Sequence, residues 1–150
     1  MTELEERQAV IDEAMTWLRT PHHNGAAVKG EGVDCGKFPW AVFHACGLLP
    51  AIPDDLRYSS QFHLNRDEEW YLKLADKFGK ELFCKSVPQK GDFALYKIGR
   101  VFSHGAIVIE WPRIIHSYVR VGVCLDLGDN GWMAKNKNGS ARPVKFFTLW

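Results

Sequence analysis

No stretch of this 150-residue chain approaches the roughly 20 consecutive apolar residues of a membrane-spanning helix, so membrane insertion is not expected. The first residues, Met1 to Glu6, are acidic and lack the basic-then-apolar pattern of a cleavable signal. The chain is therefore expected to be made in the cytoplasm without one. An excess of charge of one sign is also missing. The net charge is +1, and Lys29, Lys37, Lys97, Arg100, Lys135, Lys137, Arg142 and Lys145 form no dense run. A solvated surface accounts for them, and nucleic acid is not expected as a partner. Cysteine is sparse: the four residues Cys35, Cys46, Cys84 and Cys124 contain no CxxC pair. A reducing compartment disfavours disulfides, and the spacing disfavours structural zinc, so no metal or other cofactor is expected. The nearest thing to a ligand pair, His44 and Cys46, would point in different directions on a helix. Repeats, low-complexity tracts and a shift in composition are lacking too, which leaves residues 1–150 as one domain.

What is present is an ordinary globular composition, 46% apolar and 25% charged, arranged as helices first and strands afterwards. Val10, Ile11, Ala14, Trp17 and Leu18 recur at helical spacing and predict a helix over Glu3–Arg19, ended by Thr20-Pro21. Residues His22 to Val33 are glycine-rich and read as a loop. Phe38, Ala41, Val42, Ala45 and Leu49 predict a second helix after Cys35, closed by Gly47 and Pro50. Ala51–Arg66 reads as a long surface excursion, followed by a third helix over Asp67–Phe78. Beyond Gly91 the pattern becomes β-rich: Phe93–Ile98, Ser103–Trp111, Arg113–Val121, Val121–Leu127 and Val144–Trp150 are candidate strands. This order predicts an α+β domain, with N-terminal helices packed on a central antiparallel sheet.

Chemistry concentrates in a few residues. In Val33-Asp34-Cys35-Gly36 a cysteine stands where a loop gives way to a helix. Unpaired N–H groups and the helix dipole there favour thiolate over thiol and could hold an oxyanion. Pro39 would remove a hydrogen bond inside a helix, so regular helix is expected to begin nearer Lys37, with Cys35 on an irregular first turn. A nucleophilic thiol needs a base, and His104 in Ser103-His104-Gly105 shares strand parity with Ala106 and Val108. His116 falls on the next strand, across a turn at Trp111-Pro112-Arg113, where it could sit beside His104 if the register allowed. Taken singly, a helix-start cysteine is more often buried and inert, and a strand histidine is more often a core or surface residue. The ordered set is what suggests a cysteine hydrolase.

Four segments resemble the NlpC-type papain-like cysteine peptidases, the family of bacterial and phage cell-wall hydrolases. They are Thr20-Pro21-His22-His23 with Gly32-Val33-Asp34-Cys35; Gln89 to Tyr96, around Gly91-Asp92; Ser103 to Val108; and Ile114 to Ser117. Within that family the chain looks most like the small phage-tail-associated cell-wall peptidases. The resemblance implies a papain-like fold and a Cys35–His104–His116 triad, with His22, Asp34, Gly36 and Lys37 assisting at the substrate or oxyanion. It also implies a peptidoglycan peptide as substrate, phage tail proteins as partners, and a virion-associated or lysis-released location. The chain departs from the family where Gly36-Lys37 replaces the usual Ser-Gly, where His22 stands for a common tyrosine, and at Pro39. Two alternatives share this reading: a non-catalytic tail or assembly protein on the same fold, and a cysteine amidase or acyltransferase with another substrate.

Overall fold

The computed structural model describes residues 1–52, 75, 77–81 and 87–150. The excursion over Ala51–Arg66 and the third helix over Asp67–Phe78 lie almost wholly outside them. The described elements run α1 (Glu3–Met15), β1 (Ala27–Val28), β2 (Gly32–Val33), α2 (Lys37–Ala45), β3 (Lys80–Glu81), β4 (Phe93–Ile98), β5 (Val101–Glu110), β6 (Arg113–Tyr118), β7 (Gly122–Leu127) and β8 (Val144–Thr148). β1 and β2 form a small antiparallel ribbon. The other strands form one antiparallel sheet in the order β3-β8-β4-β5-β6-β7. The α+β class expected from the chain is therefore present.

α1 begins at a capping box: Thr2 accepts from the Glu5 amide while the Glu5 carboxylate accepts from the Thr2 amide. It ends at Met15, four residues short of the predicted Arg19. The reason is competition for backbone groups. Beyond Met15 the amides of Trp17 and Leu18 turn to carbonyls three residues back, and Arg19 takes a left-handed φ of 73°. The Arg19 amide then donates to Val123 O, and the Val123 amide donates to Thr20 O, so the outer edge of β7 captures this segment. Gly122 makes the approach possible, since a side chain there would collide with the Thr20 carbonyl.

The helices cover one face of the sheet. Val10, Ile11 and Ala14 of α1 and Phe38, Val42 and Phe43 of α2 bury against Phe93, Leu95, Ile107, Ile115, Val123 and Phe147. A buried ion pair borders this region. Arg7 is buried and donates to Asp92 Oδ1 at 2.8 Å, Lys90 O at 2.7 Å and Thr148 Oγ1 at 3.2 Å, with its guanidinium over the Trp150 ring. This bracket joins α1 to the start of β4 and the end of β8. The opposite face carries the alternate residues Ala94, Tyr96, Ala106, Val108 and Ile114, and is closed by Met133 from the segment after β7. Among the described residues, no helix is long and apolar enough to cross a membrane.

Candidate active site

The segment around Cys35 is held by Asp34. This buried carboxylate accepts from the Lys37 amide at 2.7 Å, as a helix cap does, and from the Gly25 amide at 2.8 Å. The helix proper starts at Lys37, so Cys35 lies on the irregular turn before it, as expected. Pro39 is then only the third helical residue, where an amide would have had no partner within the helix. Its presence costs α2 no hydrogen bond. The preceding loop contains more order than its glycine content suggests. The Val33 amide donates to Pro21 O, the His23 amide donates to Val33 O, and His22 bridges to Val33 in parallel. From the sheet, Ser117 Oγ donates to Val33 O at 2.8 Å and ties β6 to the residue two before the cysteine.

The histidine pair is the best-defined feature. β5 and β6 pair as Ile107 with Ile115 and Val108 with Ile114, joined through Trp111-Pro112. Continuing that register places His116 opposite Ala106, and His104 one step along the diagonal on the same face. Both imidazoles are buried, their rings cross at 84° with centroids 5.0 Å apart, and His104 Nε2 lies 2.8 Å from His116 Nδ1. The sulfur of Cys35 lies beside β5, and its hydrogen bond goes to the carbonyl of Ser103, the residue before His104, at 3.9 Å.

A fourth residue enters unannounced by the sequence. Asp126 on β7 brings Oδ2 to 3.1 Å from His116 Nε2. The in-plane axis of the ring nitrogen is turned off this oxygen, so the contact falls short of a well-formed hydrogen bond. Asp126 is itself gripped, accepting from the Leu127 amide at 2.8 Å and the Trp132 amide at 3.2 Å. Strand parity could have flagged it, since Cys124 pairs with His116 and Asp126 lies two residues further on the same face.

Electrostatics corrects one expectation. The helix start was expected to favour the Cys35 thiolate. Although Cys35 keeps some solvent contact, the protein packed around it and then the Asp34 carboxylate push its thiol up to about 12, against the opposing amides of Cys35 and Gly36. Burial holds His104 well below the usual imidazole range, helped by His116, His22 and Arg142. Burial thus disfavours charge on the Cys35 thiol and on the His104 imidazole alike. Burial likewise lowers His22, partly offset by Asp34. For Asp126, burial acts to raise the carboxyl, but the His116 contact and the two amides outweigh it and hold it below the usual range. Burial and Asp126 push Cys124 up to about 11.

The expected assisting residues separate into two groups. His22 lies on the Cys35 side of the site through its pairing with Val33, and the Gly36 amide bears on the sulfur. Asp34 and Lys37 serve the backbone: Lys37 Nζ donates to Gly25 O at 2.7 Å and so fastens the same loop that Asp34 holds. Among the described residues no cluster of three or more His, Cys, Asp or Glu could hold a metal. No protein-family model and no curated protein sequence matches the chain.

Proposed function

We propose that this domain is a papain-like cysteine peptidase acting on amide bonds of bacterial cell-wall peptides, with Cys35 as nucleophile, His104 as base and His116 as its orienting partner. The observation that carries this reading is the buried His104–His116 pair, set on one sheet face with the Cys35 sulfur against the adjacent Ser103 carbonyl. In the reaction the thiol proton passes to His104 as sulfur adds to the substrate carbonyl carbon. The tetrahedral oxyanion is met by backbone amides of the Cys35 turn. The C–N bond then breaks, His104 returns the proton to the leaving amine, and a thioester remains. Water, deprotonated by His104, cleaves the thioester to release the carboxylic acid and regenerate the thiol.

Because burial opposes charge on both thiol and imidazole, this reading has deprotonation accompany attack rather than precede it. Incubation with defined muropeptides, read by product mass, should show one cleaved amide in the wild type and none in Cys35→Ala or His104→Ala. Cleavage persisting in either variant would exclude the mechanism. The second reading, a non-catalytic tail or assembly protein in a virion, draws support from the strongly raised thiol and from its hydrogen bond to a carbonyl instead of an imidazole. It predicts intact muropeptides with the wild-type protein.

A further inference from the structure

Among the described residues, His116 Nε2 is a fully buried ring nitrogen with no well-aligned hydrogen-bond partner, and a carboxylate oxygen lies 3.1 Å away. A neutral imidazole carries one N–H and one lone pair, and the neighbour of each nitrogen decides which is which. Placing the lone pair on Nε2 would set it against the Asp126 oxygen, two electron-rich atoms in contact within a buried site. Placing the proton there turns the same contact attractive, even off axis. His116 Nδ1 then holds the lone pair, so the 2.8 Å contact requires His104 Nε2 to be the donor. With its proton on Nε2, His104 has an unprotonated Nδ1, the one ring nitrogen left with a lone pair to accept a proton.

We infer that Asp126 is a positioning residue that sets the tautomers of His116 and His104 in sequence and so makes His104 Nδ1 the base. The inference rests on the hydrolase reading for its purpose, though the tautomer measurement that tests it does not. The surroundings of Asp126 suit this task. The Leu127 and Trp132 amides fix both carboxylate oxygens. The turn that follows folds tightly over them: the Gly131 amide donates to Leu127 O at 2.7 Å, and a side chain at Gly131 would collide with Asp126 Oδ1. Gly128 closes the turn from the other end, its carbonyl accepting from Tyr96 Oη at 2.8 Å beside the histidines.

The decisive measurement is long-range 1H–15N correlation of the imidazoles in the full-length protein, at a pH where both are neutral. The expected spectrum has His116 and His104 both as Nε2–H tautomers. A wild-type His116 carrying its proton on Nδ1 would overturn the inference, whatever any variant does. In Asp126→Asn the amide can donate where the carboxylate only accepted, so His116 should become a mixture of tautomers. Cys35 alkylation by iodoacetamide should then slow by on the order of 10²-fold, the lower end of what a positioned base contributes. In His116→Asn a side-chain carbonyl can accept from His104 without help from Asp126, and adding Asp126→Asn should leave alkylation unchanged. Equal slowing in both backgrounds would mean that Asp126 is merely structural and would likewise overturn the inference. Neither readout uses a cell-wall substrate, so a failure of the peptidase reading and a failure of the relay are separately visible.

Discussion

The two faces of the sheet are built from alternate residues of the same strands, yet they carry different burdens. On the helix-covered face the buried side chains are almost all apolar, and the polar contacts at its border, around Arg7, are fully bonded. On the other face a smaller apolar cluster surrounds two histidines that meet each other and lean on a carboxylate at the rim. Burial serves opposite ends in the two places. Around Val10 and Phe38 it supplies stability by removing apolar surface from water. Around His104 it keeps an imidazole neutral and therefore able to accept a proton. One face is closed mainly by apolar packing, and the other holds His104, whose protonation the packing opposes.

The largest effect expected from breaking this division is at His104. His104→Ala should reduce amide cleavage by on the order of 10²–10⁴-fold while leaving the thermal midpoint close to wild type. Unfolding of that variant at a much lower temperature would show that the histidine face also bears the fold. Next comes the reverse case. Arg7→Ala removes one end of a buried ion pair and should cost about 3–5 kcal/mol in denaturant unfolding. Activity per folded molecule should be preserved, and its loss would show that the faces are coupled.

Acidification should separate the faces without mutation. His104 has a folded pKa below that of the unfolded chain, so as pH falls through the ordinary imidazole range the unfolded state takes up a proton that the folded state refuses. Stability should therefore fall from about pH 6.5 downward. Asp126, also depressed, adds a loss of the same sign at more acidic pH, around and below the ordinary carboxyl value. His104→Gln should blunt the first part of this loss in thermal scans, and an unchanged slope would assign it elsewhere. The smallest effect is at Ser117, which sits among the helix-side core yet tethers the segment before Cys35. Ser117→Ala should cost about 1 kcal/mol, and a rise in KM larger than the fall in stability would show that this one hydrogen bond links the two faces.

How much was legible follows from how local each signal was. The strand assignments after Gly91 hold to within a few residues, because alternation and the Gly, Pro and Asp breaks are properties of short segments. α2 and the irregular turn at Cys35 were legible from Pro39 and the apolar stripe. The end of α1 was not, because the edge of β7, more than a hundred residues later, takes the Arg19 and Thr20 backbone. The ribbon of β1 and β2 hid in a glycine-rich loop, because its glycines mask a pairing held by Asp34 and Pro21 nearby and by Ser117 from β6.

The site divides in the same way. The amino-acid sequence by itself determined the identity and order of Cys35, His104 and His116, the shared strand parity of His104 with the apolar face, and an α+β order of elements. Those are matters of residue type and spacing along one segment. Only the tertiary structure decided that the histidines touch, since that depends on the β5–β6 register. Only it brought Asp126 to the pair from a third strand, and turned Asp34 and Lys37 toward the backbone of the Gly25 loop. It also set burial and Asp34 against the thiolate expected at Cys35. A helix start favours a thiolate locally, but the protein packed around the sulfur and the adjacent carboxylate outweigh it, and neither is a property of the turn alone.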